Sequence, residues 1–319
     1  MKKLFFYLAI AMTLLGCDNK IGEIVENEEF VAVRLKATGE LIETQQPLTK
    51  SSQQSGLYGM QITVSNSDEK VAYGVFDNLD NMVIMLPKNK KMDIEMTYLP
   101  NGKEDIYYWS YYNCYDIPLN TFGWGESPLN TLIYSKNEYL YALGNGKNVK
   151  TNNNRVNSLH LEVDRYYGYY SNYTPSENGI IYMDMKRAVF GLTFKAKKVE
   201  EKQYDKILVQ IDADATLSNF PKNYYIYMNQ NESVSELVIP FICLGDVSAS
   251  VMSPSYEEEI MIGIGTDEKP GEIFFGKIKV KRNTMHIYEF DAIDSESVSN
   301  GLQSNIDGTP MENKNEKFD

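Results

Sequence analysis

Met92-Asp93-Ile94-Glu95-Met96-Thr97-Tyr98 carries an apolar side chain at every second position, with Asp93, Glu95 and Thr97 between. A period of two belongs to a strand with one face buried, because successive side chains leave opposite faces. The same pattern spreads in both directions. Upstream, Val31, Val33, Leu35 and Ala37 alternate with Ala32, Arg34 and Lys36, and Met60, Ile62 and Val64 alternate with Gln61 and Thr63. Downstream it returns in Ile181/Met183/Met185, Phe190/Leu192/Phe194, Ile207/Val209/Ile211, Ile260/Ile262/Ile264, Ile278/Val280 and His286/Tyr288/Phe290/Ala292. Turn residues separate these runs: Asn66-Ser67-Asp68, Pro100-Asn101-Gly102, Asn145-Gly146, Glu177-Asn178-Gly179 and Lys269-Pro270-Gly271. No stretch of twelve or more residues keeps a helical stripe. The fold class is therefore all-β, with sandwiches the default for strands at this spacing.

The chain has 319 residues, enough for one large domain or two ordinary ones. Residues 144–158 are polar and rich in turn formers, so the chain divides after them, into 30–163 and 164–294. Residues 295–319 are polar without alternation and read as a flexible tail. The formal net charge is -13. Such an acidic surface repels phosphate backbones and argues against nucleic acid as a partner.

The first residues set the address. Met1-Lys2-Lys3 is a short basic start and Leu4 to Leu15 an apolar run too short to span a bilayer comfortably. Leu14-Leu15-Gly16-Cys17 follows, a small residue before a cysteine at the end of the apolar run. This resembles the lipobox of bacterial lipoproteins. The resemblance implies a signal peptide over 1–16, cleavage after Gly16 and acylation of Cys17, which becomes the membrane contact. Two acyl chains anchor stably, at about 0.8 kcal/mol per buried CH₂. Residues 17–29 are polar and acidic and read as a tether. Cys114 and Cys243 remain, and they read as two separate, partly buried thiols.

Chemistry is sparse. Two histidines, His160 and His286, cannot supply a multi-imidazole metal site or relay, and no metal or cofactor is expected. No Gly-x-Ser-x-Gly elbow and no His-Glu-x-x-His occurs. Gly144-Asn145-Gly146 and Gly263-Ile264-Gly265 do not extend into phosphate loops, and Asp212-Ala213-Asp214 lacks the later ligands of a calcium loop. No catalytic residue stands out, and the chain reads as a non-enzyme.

The aromatic clusters are the strongest local oddity among 24 tyrosines. One comprises Tyr107, Tyr108, Trp109, Tyr111, Tyr112 and Tyr115, followed by Phe122 and Trp124; the other Tyr166, Tyr167, Tyr169, Tyr170 and Tyr173. Either the rings form a ligand platform centred on Trp109, Tyr111 and Trp124, or alternate rings pack in a core. Packing is the commoner arrangement.

Three further constellations carry a family resemblance. They are Leu57-Tyr58-Gly59-Met60-Gln61-Ile62 with Ala72-Tyr73-Gly74-Val75-Phe76-Asp77 and Met96-Thr97-Tyr98-Leu99-Pro100-Asn101-Gly102; Asp164-Arg165-Tyr166-Tyr167-Gly168; and Asp184-Met185-Lys186-Arg187-Ala188-Val189-Phe190-Gly191-Leu192. With the lipobox they resemble fimbrillin-like lipoproteins, subunits and accessory proteins of type V pili. The resemblance implies two tandem transthyretin-like β-sandwiches and display at the outer membrane. In polymerising members it also implies proteolysis after a basic residue beyond the first strand. The vacated groove then takes a strand from the next subunit, through edge pairing. Here the removable strand would be Phe30 to Ala37, with Val31, Val33 and Leu35 inward. The matching cut would follow Lys50 and leave Ser51 as the new N-terminus. Relatives of this type are cut after arginine, which tilts the expectation towards an accessory or anchor subunit. If a donor strand exists, Met285 to Ala292 suits it better than the tail. The expected role is structural or adhesive, with other fimbrial subunits or a cell-surface ligand as partners. The alternative is a glycan-binding lipoprotein serving an outer-membrane oligosaccharide importer.

Overall fold

The computed structural model describes residues 29–40, 55–79, 82–116, 118–121, 125–140, 143–144, 162–199, 204–212, 222–229, 231–292 and 303–305. Their regular structure is nearly all strand, as the period of two requires. In chain order they are β1 Phe30–Gly39, β2 Leu57–Val64, β3 Lys70–Phe76, β4 Val83–Pro87, β5 Met92–Leu99, the one-turn helix α1 Gly102–Asp105, β6 Tyr108–Trp109, β7 Cys114–Tyr115, β8 Thr131–Tyr134, β9 Tyr166–Tyr173 and β10 Gly179–Arg187. There follow β11 Val189–Lys197, β12 Lys206–Asp212, β13 Lys222–Tyr227, β14 Val234–Cys243, the short helix α2 Val247–Met252, β15 Glu258–Gly265, β16 Phe274–Val280, β17 Met285–Asp291 and β18 Gln303–Asn305.

The chain divides into two compact units. The first holds residues 1–39, 47–143 and 168–185, and the second holds 40–46, 144–167 and 186–319. The boundary is therefore interleaved, where the sequence suggests a single cut between 163 and 164. The reason is strand pairing: β10 runs parallel to β1, from Val33 opposite Gly179 to Gly39 opposite Met185. Residues 168–185 are drawn into the first unit by that ladder.

In the first unit the strand order is β4-β1-β10-β9-β5-β2-β3-β8. β1 lies inside the sheet, with β4 antiparallel on its other side from Phe30 opposite Pro87 to Arg34 opposite Val83. Its alternation is as the sequence reads: Val31, Val33 and Leu35 are buried, while Arg34 and Lys36 are exposed. β2 sits between β5 and β3 and is buried over Leu57–Ile62. The turn at Asn66 has φ 59°, a left-handed conformation that asparagine tolerates better than most residues.

The second unit holds two four-stranded sheets, β14-β11-β17-β18 and β13-β12-β15-β16. Their inward residues share one buried cluster: Leu192, Phe194 and Tyr288 from the first sheet meet Val209, Ile262 and Ile278 from the second. That is sandwich packing, two apolar faces closing on each other. β17 is paired on both sides, parallel to β11 and antiparallel to β18. Residues 303–305 thus form a strand within the stretch expected to be a flexible tail, because β17 offers them a free edge. The remaining tail residues lie outside the described ones. Cys114 and Cys243 are both buried thiols outside any disulfide, the first in the first unit and the second in the second.

Candidate functional site

The site is built on a hairpin of the first unit. Tyr108 pairs with Tyr115 and Trp109 with Cys114. The Asp116 N–H donates to the Tyr107 carbonyl at 2.8 Å and the Tyr112 N–H to the Trp109 carbonyl at 3.1 Å. Asn113 turns the chain at φ 50°. The Ser127 N–H fixes the turn from outside by donating to the Asn113 carbonyl at 3.1 Å. The base is apolar, since Cys114 and Tyr115 are buried. Burial pushes the thiol of Cys114 up, with Asp116 adding to it, so this cysteine stays protonated and unreactive at neutral pH.

The tip is the reverse. Tyr111 is 89% exposed and Tyr107 64%, and Tyr108 and Tyr112 are exposed too. The rings brace one another edge to face: Tyr107 on Trp109 at 4.8 Å between centroids, and Tyr111 on Tyr112 at 4.9 Å. The Tyr108 hydroxyl bonds Asn113 Oδ1 and its ring leans on Tyr115. Trp109 is half-buried beneath the group. Such edge-to-face pairs contribute about 0.5–1.5 kcal/mol each beyond area burial and hold the rings in fixed directions. A rigid aromatic face with hydroxyl rims costs little ordering entropy when a partner lands on it. α1 places Glu104 and Asp105 next along the chain, both exposed.

Of the three platform residues expected, Trp109 and Tyr111 come together on this hairpin, while Trp124 lies outside the described residues. The second aromatic cluster follows the packing alternative in part, with Tyr170 exposed and edge to face with Tyr173. Tyr166 and Tyr167 are buried. The Tyr169 hydroxyl and the Asn172 N–H both donate to Asp93, at 2.9 and 2.8 Å, and tie the far part of β9 to the start of β5. Those bonds, with a third from Ser65 at 2.6 Å, hold the carboxyl of Asp93 below its usual range although partial burial opposes them. Sequence reasoning assigned no role to a charge cluster in the second unit, buried at Arg187 and part-buried at Arg282 and Glu40. The Arg187 side chain donates twice to Asp164, at 2.8 and 2.7 Å, and Arg282 reaches both oxygens of Glu40 at 3.0 and 3.1 Å.

Gly16, Cys17, Lys50 and Ser51 lie outside the described residues. Among the described residues no cluster of three or more His, Cys, Asp or Glu side chains could hold a metal ion. None of the helices there is long and apolar enough to cross a membrane.

No protein-family model and no curated protein sequence matches the chain. Solved structures do. The fimbrial anchor protein Mfa2 of Porphyromonas gingivalis aligns over 90% of this chain and 99% of its own, at 11% identity and a TM-score of 0.40. The C-terminally truncated tip fimbrial protein Mfa3 of the same organism aligns over 86% of this chain and 98% of its own, at 9% identity and a TM-score of 0.32.

Proposed function

We propose that the protein is a lipid-anchored surface protein of the fimbrillin-like class, held at the outer membrane through Cys17, and that its work is adhesion rather than catalysis. The exposed tyrosine tip of the 107–116 hairpin carries the reading. Four large rings stay in solvent on a braced hairpin whose base is buried, and aromatic rings presented this way are the usual anchors of recognition surfaces. Two transthyretin-like sandwiches remain the proposed architecture behind them. In this reading β1 stays in the chain: it is hydrogen-bonded on both sides and its apolar face is buried, which favours an anchor or accessory subunit over a processed, polymerising one. Partners would be other fimbrial subunits or a ligand on another cell.

The test is adherence of cells displaying the chain. Tyr107→Ser with Tyr111→Ser should reduce adherence at least fivefold at equal surface level. Unchanged adherence sinks the adhesive assignment of the hairpin. A second reading, capture of neutral oligosaccharide, shares the same rings. It gains if soluble oligosaccharides change the emission of Trp109 and compete with adherence.

A further inference from the structure

The outer face of the β4-β1-β10 ladders carries a second constellation. Arg34 and Lys36 leave β1 on the same side and both are exposed. Their cross-strand neighbours on β10 are Ile180 and Tyr182, opposite Arg34 and Lys36 respectively. Both neighbours are exposed as well, Tyr182 at 53% and Ile180 at 40%. Val83 on β4 lies opposite Arg34 on the other side and is half-buried. Among the described residues neither Arg34 nor Lys36 is in an ion pair, whereas Lys88, Lys90, Lys103 and Lys136 of the same unit all are. The only carboxylate in this strip of cross-strand pairs is Asp184, opposite Thr38 at the far end. Two adjacent cations outside any ion pair among the described residues are out of keeping with a chain whose net charge is -13.

We infer that this face binds an anionic carbohydrate, a uronic-acid or sulfated sugar chain. The planar guanidinium of Arg34 presents paired donors that match a carboxylate or sulfate, and Lys36 adds a second charge one pleat along. Residues two apart on a strand stand about 7 Å apart, which lets the two cations take acidic groups from one extended chain. The ring of Tyr182 and the side chain of Ile180 offer apolar surface for a sugar face, with the phenol as a polar edge. Residues on a sheet interior hold this spacing better than a loop would. The site is separate in sequence and in chemistry from the tyrosine hairpin, which presents rings and hydroxyls rather than two cations. It exists only while residues 30–39 stay in the chain.

The test uses the full mature chain and polygalacturonate as probe, with neutral dextran as control. Wild-type protein should bind polygalacturonate and not dextran, and the binding should weaken as salt is raised. Arg34→Gln with Lys36→Gln should weaken it at least tenfold. Tyr182→Ser should weaken it about threefold or more while leaving the response to salt unchanged. Lys91→Gln with Lys269→Gln, two exposed lysines elsewhere, should change it less than twofold. All variants alter exposed side chains, and circular dichroism checks that each is folded. Equal binding by the Arg34/Lys36 variant overturns the inference, as does the absence of binding by wild type. Binding to phosphatidylglycerol vesicles in place of the polysaccharide also overturns it, by showing a lipid headgroup to be the ligand.

Discussion

Removing β1 is the perturbation that separates a subunit designed to keep its first strand from one designed to lose it. A chain that begins at Ser51 lacks Val31, Val33 and Leu35, three buried side chains. Each contributes about 1.5–3 kcal/mol by burial, so the loss is about 5–9 kcal/mol. The cost rises further because β10 and β4 each lose a partner strand and expose unpaired backbone groups. Whole domains are stable by only about 5–15 kcal/mol. The first unit should therefore fail to stand alone without β1, and its open groove should recruit another strand. Trp109 lies in the first unit, so its emission reports on that unit. Light scattering and tryptophan-detected urea unfolding of the chain starting at Ser51 should show oligomers, or a first unit unfolded at low urea. A synthetic peptide of residues 29–40, added in trans, should restore a monomer and a cooperative transition. A truncated chain that stays monomeric and unfolds at the same urea concentration as the full one would refute the reasoning.

Other perturbations test the second unit and the strand junction. Asp164→Asn leaves the buried Arg187 guanidinium without its carboxylate, and one-sided loss of a buried pair costs about 3–5 kcal/mol. With a urea slope of about 2 kcal/mol/M, the midpoint seen by far-UV circular dichroism should fall by about 1.5–2.5 M, and a fall under 0.5 M counts against the pair. Gly39 has φ +83°, and an added Cβ would crowd the Asp184 side chain and the backbone of Met185. Gly39→Ala should therefore cost about 1–2 kcal/mol, and a thermal midpoint equal to wild type would show that the turn relaxes. His286 is buried, which holds its pKa below the usual histidine value, and its Nε2 accepts from the Lys281 N–H at 3.1 Å. A depressed histidine pKa contributes stability that is present above about pH 6.5 and lost as pH falls, because the unfolded chain takes up the proton first. Stability measured between pH 7.5 and 5 should thus decline, and His286→Gln should flatten that decline; an unchanged slope in the variant refutes the assignment. The N-terminus and intact mass of protein recovered from cells should give an acylated Cys17 on an uncut chain, and a chain starting at Ser51 would overturn the accessory-subunit reading.

How much of this was legible follows from the range of each interaction. Alternation in Val31/Val33/Leu35 and Phe190/Leu192/Phe194 is a local property, and the structure buries those side chains as the pattern requires. Asn66 and Gly271 turn the chain with positive φ where turn residues cluster. The interleaved division was hidden because β1 meets β10 across well over a hundred residues, and no local pattern records which strand a parallel neighbour will be. β18 was hidden because Gln303–Asn305 has no alternation of its own and is a strand only through the free edge of β17.

The two tyrosine clusters show where sequence reading of function stops. Tyr107/Tyr108/Tyr111/Tyr112 and Tyr166/Tyr167/Tyr169/Tyr170 have the same composition and nearly the same spacing, two Tyr-Tyr pairs with a short gap between them. What separates them is the company each keeps. The first is followed by Asn113 in a left-handed turn, so its residues sit on a two-residue-per-side hairpin too short to bury both faces. The second enters β9, where Tyr166 and Tyr167 face Arg187 and Lys186 on β10 and are sealed in. Arg187 then stacks over Tyr166 and Phe241, at 5.7 and 5.1 Å, so one aromatic cluster helps to hold a buried charge while the other meets solvent. A tyrosine run therefore marks a binding surface only when its element has no second layer to cover it, and that condition is set by strand pairing rather than by the run itself.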